Sequence, residues 1–329
     1  MTVLAPGRVT VDVRLRPGDL REALRRDARA GLTATPKAMP PVWFYDERGC
    51  ELYDAITRTP EYYPFRTERA LLRRSAGEIA AAAGATVLVE LGSGTSEKTH
   101  LLLDAMAANG TGLDGYVPFD VAEGTLRAAA EAVAGRLGIG VRAVVGDFHR
   151  HLAAIGDVSG RRLVAFLGST IGNLDPAERA GFLGELAGLL TRDDRFLLAT
   201  DLVKPADRLV AAYDDAAGVT AAFNRNLLTV LNRELGGDFD PDGFDHVAAW
   251  DPGNRWIEMR LRATRATTVT LPAIGLEVAF AAGEEMRTEI SAKFTAAQVA
   301  RELTAAGMAV AGLWLDPAGD YLLTLARLR

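Results

Sequence analysis

The chain has 329 residues, 49% of them hydrophobic and 24% charged, with a formal net charge of −6. That length buries a large core and exceeds one average domain, so one elaborated domain or two interleaved ones is expected, and disorder is not. The acidic balance offers no overall attraction for nucleic acid or anionic lipid, and the single cysteine, Cys50, excludes an internal disulfide or a multi-cysteine zinc site.

The start, M-T-V-L-A-P-G-R-V-T-V-D-V-R, carries Arg8 and Asp12 where a secretory segment needs an unbroken apolar run, and no later stretch approaches membrane-spanning length. A soluble, cytoplasmic monomer with neither a nucleic-acid nor a membrane partner is expected. From Thr67, T-E-R-A-L-L-R-R-S-A-G-E-I-A places apolar residues at helical spacing behind a capping threonine. Short apolar runs then alternate with helical patterns. Strands are expected at 86–91, 115–119, 141–145, 163–167 and 196–200, each followed by turn residues, which makes an open, doubly wound, mostly parallel α/β sheet. Past Lys204-Pro205 the pattern changes to a long helical run ending near Leu235 and then to period two in R-W-I-E-M-R-L-R, a second, inserted α+β unit. The C-terminus returns to a helix over 295–306 and two apolar runs around D-P-A-G-D, an antiparallel hairpin.

The stretch V-L-V-E-L-G-S-G-T-S-E-K-T (87–99) is a strand that breaks into glycines. A phosphate loop or a dinucleotide fingerprint would set Glu97 against a phosphate, where a carboxylate repels. The spacing Glu90-x-Gly92-x-Gly94 instead resembles the first motif of S-adenosylmethionine (SAM)-dependent methyltransferases of the doubly wound class I fold. There an acid at the strand end suits a sulfonium cation, Gly92 and Gly94 let the backbone approach closely, and Lys98 can meet the methionyl carboxylate. Asp120 closes the next strand, where a carboxylate can accept both ribose hydroxyls. Asp147 closes the third, an acceptor for an adenine amine beside the face of Phe148. Any one such aspartate more commonly caps a helix.

Longer words make the resemblance specific: W-F-Y-D-E-R-G (43–49), I-T-R-T-P-E-Y-Y-P-F-R (56–66), E-L-G-S-G-T-S-E-K-T, F-L-G-S-T-I-G-N-L (166–174), A-Y-D-D-A-A-G-V-T-A-A-F-N-R-N (212–226) and M-R-T-E-I-S-A-K-F (286–294). Over nearly its whole length the chain resembles the histidine Nα-methyltransferases of ergothioneine biosynthesis. The resemblance implies transfer of three methyl groups from SAM to the α-amine of L-histidine, giving hercynine. It also implies a SAM-binding domain, residues 67–203 with 294–329, beside a substrate domain, residues 1–66 with 204–293.

The resemblance implies roles for single residues as well. Tyr62, Asn173 and Tyr213 match the catalytic positions that hold the amine and carboxylate of the amino acid, and they do so without adding charge. Glu289 and Ser291 match the pair that selects the imidazole. On a strand both project to one face, roughly 7 Å apart. Lys293 would follow on that face, and a solvated Glu–Ser–Lys edge is the plain alternative. Met259 and Tyr45 are expected to approach the imidazole ring. Tyr53 stands where the family pattern has phenylalanine, and Ala292 follows the selective serine. No metal is expected, since His149 and His151 lack a third ligand spaced with them, and 168–172 is no nucleophile elbow because Thr170 holds its centre. Two other readings remain: a member of the family acting on another aromatic amino acid, and a silent SAM-binding module.

Overall fold

Apolar runs of five to seven residues, buried on both faces, form the centre of an eight-stranded sheet. The computed structural model describes residues 3–16, 18–94 and 96–329, except the side chains of His149 and Asp157. Across the sheet the strands run Val9–Val13, Gly140–Val145, Gly115–Asp120, Val87–Leu91, Arg162–Phe166, Arg195–Asp201, Tyr321–Leu328 and Met308–Leu315. The first six are parallel, and the last two form the expected hairpin, whose strand Tyr321–Leu328 runs antiparallel to both Arg195–Asp201 and Met308–Leu315. Chain order reverses beside Val87–Leu91, whose neighbours are the strands following it and Arg162–Phe166. Helices cover the sheet; Pro176–Leu189 opens with a reciprocal capping box between Asp175 and Glu178.

The chain divides into two compact units, Met1–Arg16 with Thr67–Leu202 and Phe294–Arg329, and Pro17–Arg66 with Val203–Lys293. The start differs from expectation. Strand Val9–Val13, placed by the sequence reading in the second unit, pairs in parallel with Gly140–Val145 in register Val9↔Val141 to Val13↔Val145. Asp12 pairs with Arg142 across that register. V-T-V-D-V is too short for its alternation to show which sheet it joins.

The second unit packs helices Asp19–Thr33, Glu47–Ile56, Ala206–Tyr213 and Val219–Leu235 with a four-stranded sheet ordered Lys37–Ala38, Glu285–Ala292, Trp256–Ala263 and Phe244–Asp251. Phe44, Phe223, Leu227, Leu231, Phe244 and Ile257 belong to its core. The helical run near 206–235 is broken at D-D-A-A-G, where Asp215 accepts from the N–H groups of Val219 and Thr220 and Gly218 takes φ +71°. Among the described residues, no helix is long and apolar enough to cross a membrane.

At the base of the first sheet Asp194, 1% exposed, accepts from the Arg162 guanidinium at 2.5 Å, from the Arg162 N–H at 2.8 Å, and from the Thr191 N–H and hydroxyl. Asp194→Ala strands a buried guanidinium and is expected to cost about 3–5 kcal/mol in urea unfolding. A loss under 1 kcal/mol would show that the pair is not needed.

Candidate functional site

In the first unit the predicted residues gather at the C-terminal ends of the parallel strands, beside the point where strand order reverses. Open α/β sheets bind ligands at that crevice. The glycine turn leaves strand Val87–Leu91 with Gly92 at φ +67° and Gly94 at φ +49°, and both have open space where a Cβ would stand. Its N–H groups are tied down: Gly92 to the Phe119 carbonyl at 2.8 Å, Gly94 to the Asp120 carboxylate at 2.9 Å. Asp120 also accepts from Ala122 N–H at 3.1 Å, so it braces the turn from the neighbouring strand. Ser93 is buried, and among the described residues its hydroxyl finds no partner. Open glycines, an orphan hydroxyl and a half-buried acid fit a polar ligand lying on this turn.

Glu90 faces inward. Its carboxylate accepts from the Thr99 hydroxyl and from the Tyr116 phenol, each at 2.6 Å, and Tyr116 meets Ser96 at 2.8 Å. Burial pushes its pKa up to about 7 against the opposing pull of those hydrogen bonds and of Lys98. Lys98 pairs with Glu68, which is fully buried and also accepts from Gly168 N–H at 2.7 Å. Sequence reading passed over Glu68 and Ser93. A signal for Glu68 was available, because an acid there shares the buried stripe of Leu71, Leu72 and Ile79 at helical spacing.

Asp147 begins the next loop, where its N–H donates to His151 Nδ1 at 3.2 Å. Residues 148–151, which carry the two histidines, form a helical turn, Phe148–His151; the side chain of His149 lies outside the described residues. Phe148 sits edge-on to Phe166 at 5.4 Å. Asn173 ends the short helix Thr170–Asn173, which follows Gly168 at φ +74° and Ser169 at φ +56°. Ser169 Oγ accepts from Asp201 N–H at 2.9 Å and fixes that turn. Among the described residues, no three His, Cys, Asp or Glu are grouped to hold a metal.

In the second unit, Tyr62 and Tyr213 lie edge to face at 6.1 Å, and Tyr53 joins Tyr62 at 6.4 Å and Tyr45 at 5.8 Å. Arg66 holds the Tyr62 loop by donating to the carbonyls of Thr59, Pro60 and Tyr62 at 2.6–2.9 Å. His246 holds Tyr213: its Nε2 donates to the Tyr213 carbonyl at 2.7 Å while Nδ1 accepts from the Asn224 amide at 2.8 Å. Burial pushes the His246 pKa down, in keeping with that neutral tautomer. Burial above all, with Tyr53, Tyr213, Tyr45 and Glu289 adding to it, pushes the Tyr62 phenol well above its ordinary value. Burial and then Tyr53 and Glu289 act likewise on Tyr45, but 42% of that residue is open to solvent, which weakens the effect there.

Glu289 and Ser291 lie on strand Glu285–Ala292, and antiparallel register sets Met259 opposite Glu289 and Ile257 opposite Ser291, which puts each pair on one face. The strand pairs with Trp256–Ala263 along one side, and on the other Lys37–Ala38 pairs only with Met286 and Arg287. Ser291 is 6% and Lys293 1% exposed, which removes the solvated-edge alternative. Ser291 Oγ and Tyr213 OH are 2.7 Å apart, and Lys293 Nζ donates to both at 2.8 Å. This buried cluster, like Arg66 and His246, went unread because its members meet only in the folded chain.

A family model described as histidine-specific, SAM-dependent methyltransferase matches residues 24–328. A histidine N-alpha-methyltransferase from Mycolicibacterium smegmatis is 60% identical over 306 residues, 93% of this chain and 95% of that protein. One from Mycobacterium tuberculosis is 55% identical over 305 residues, 92% and 94%. Ergothioneine biosynthesis protein 1 from Schizosaccharomyces pombe is 29% identical over 243 residues, 70% of this chain but 31% of that longer protein.

Because the Glu90 pKa is raised on folding, its contribution to stability is full below the unfolded value near 4.5 and is lost as pH rises through about 7. Glu90→Gln removes this titration. The wild type minus E90Q difference in unfolding free energy is expected to fall by roughly 2.5 kcal/mol between pH 5 and 8.5. A pH-independent difference would show that Glu90 ionises normally.

Proposed function

This chain belongs to the histidine-specific, SAM-dependent methyltransferase family, and on that premise we propose that it methylates the α-amine of L-histidine three times to give hercynine, a step of ergothioneine biosynthesis. The observation that carries the substrate is the face bearing Glu289, Met259 and Ser291, with Tyr213 hydrogen-bonded to that serine. A carboxylate and a hydroxyl two residues apart match the two nitrogens of an imidazole. An indole or a phenyl ring would leave one or both unpaired, at a cost.

When bound, SAM supplies an electrophilic methyl group on a sulfonium. The residues that would hold it are Gly92, Ser93 and Gly94 on the turn, Lys98 for its carboxylate, Asp120 for the ribose, and Asp147 with Phe148 for the adenine. Glu68 keeps Lys98 in place, and an ammonium with three donors serves both acids. Tyr62, Asn173 and Tyr213 hold the amino acid's own amine and carboxylate. An in-line displacement needs the nitrogen lone pair, and an ionic partner would keep the amine protonated. Neutral phenols and an amide avoid that, and Tyr62 remains a phenol at neutral pH. Each transfer deletes an N–H, and the crossed rings of Tyr62 and Tyr213 still offer the growing cation an aromatic face. Tyr45 and Met259 border the imidazole.

The test is mass spectrometry of products formed from SAM and a panel of L-amino acids by the purified protein. Trimethylated histidine alone is expected. Methylation of a different amino acid would overturn the pocket assignment, and no methylation at all would overturn the activity. Glu289→Ala is expected to raise KM for histidine about tenfold or more, the loss of one charge-assisted hydrogen bond. An unchanged KM would remove Glu289 from the pocket.

A further inference from the structure

Lys293 takes no part in the chemistry above, yet its ammonium is buried at 1% exposure against two hydroxyls of the proposed histidine pocket. An ammonium only donates, so it occupies one lone pair on Ser291 Oγ and one on Tyr213 OH. The two hydroxyls are also 2.7 Å apart, and one must donate to the other. A phenol is a stronger hydrogen-bond donor than an aliphatic alcohol, so the proton runs from Tyr213 to Ser291. Both lone pairs of Ser291 are then filled. Its own O–H is the hydrogen-bonding capacity it keeps, and a ligand atom facing it must be an acceptor.

We infer that Lys293 is a positioning residue that makes Ser291 an obligate donor, so that the pocket takes histidine with a neutral ring, its pyridine-type nitrogen toward Ser291 and its N–H toward Glu289. The inference rests on Glu289 and Ser291 being the partners of the ring. An imidazolium has two donors and no acceptor. It would set an N–H against the serine O–H and bring a second cation toward the ammonium. The ionisable groups of this surround are Glu289 on the same strand, Tyr213 from helix Ala206–Tyr213, and Tyr45 and Tyr62 from the aromatic cluster. Of these, Glu289 favours imidazolium. The work of Lys293 is to offset it.

The direct test uses wild-type protein with S-adenosylhomocysteine and histidine labelled with 15N in the ring, at pH 6, where much of the free ring is protonated. One pyridine-type and one pyrrole-type resonance are expected for the bound ring; two pyrrole-type resonances, the imidazolium pattern, would overturn the proposal. A double-mutant cycle gives the second reading. Lys293→Met and Ser291→Ala are each expected to raise KM for histidine about tenfold with kcat changed less, and the double variant no more than either alone. A near-hundredfold product of the two effects, or a K293M enzyme with unchanged KM, would overturn the role of Lys293. An unchanged KM in S291A would instead reject the pocket reading beneath it. If K293M does not fold, the spectrum of the wild-type complex decides alone.

Discussion

Glu68 accepts the Gly168 N–H at 2.7 Å and pairs with Lys98, and through those two contacts a helix, the glycine turn and the loop leading to Asn173 are held to one another. The same device recurs along this end of the sheet: Asp120 ties Gly94 and Ala122, and Glu90 ties Thr99 and Tyr116. A turn that must let its backbone approach a ligand carries little side chain of its own. Its shape has to be imposed by acceptors reaching in from neighbouring elements. A carboxylate suits the task because its two oxygens offer about four lone-pair sites, enough to hold a loop and still meet a ligand. Asp120 and Glu90, which the sequence presents as ligand partners, are thus first of all braces. Glu90 is buried, with its carboxylate turned to Thr99 and Tyr116.

The second unit solves a different problem with different groups. Where the first unit uses acids, the walls here are phenols, an indifferent methionine and a serine, with Glu289 and Lys293 as the charges of the face. The phenols are placed by contacts to their backbone. Arg66 grips the carbonyls around Tyr62, and His246 grips the carbonyl of Tyr213. Positioning through the main chain fixes each residue from behind its ring, while the Tyr213 hydroxyl is tied to Ser291 and Lys293. On the proposed reading that tie lets Lys293 set the direction of hydrogen bonding without touching the ring of the substrate.

Much of this was legible in the sequence, for identifiable reasons. Strands buried on both faces write themselves as unbroken apolar runs, so the centre of the sheet and the C-terminal hairpin could be read directly, as could the glycine turn that leaves one of those strands. Val9–Val13 could not be assigned, because five alternating residues do not say which sheet they join and the partner lies more than a hundred residues away. Glu68, Arg66, His246 and Lys293 were missed or left open for a related reason. A lone charged residue reads as surface unless its partners are known: those of Glu68 and His246 lie distant in sequence, while Arg66 donates to carbonyls four to seven residues back, which carry no side-chain signal. Glu289 and Ser291 were singled out by the resemblance, a strand's alternation only adding that they share one face, and Lys293 two residues further shares that face but meets its partner Tyr213 only in the folded chain.

Trimethylation makes the strictest demand on such a pocket. After the first and second transfers the nitrogen carries a positive charge and a proton, and that proton must leave before the next methyl can be accepted. A resident carboxylate against the nitrogen would stabilise the protonated, unreactive form at each stage. A phenolate would remove the proton well, but burial and its neighbours hold Tyr62 protonated far above neutral pH. On the proposed reading Tyr62 is then a hydrogen-bonding partner and an aromatic face, and does not take the proton itself. The rate then depends on how well the neutral amine is oriented, which explains why so much of the second unit is spent on fixing the backbone behind two tyrosines. On the proposed reading the charges Glu289 and Lys293 act on the imidazole and its hydroxyl partner, so recognition of the ring does not come at the expense of the nitrogen lone pair.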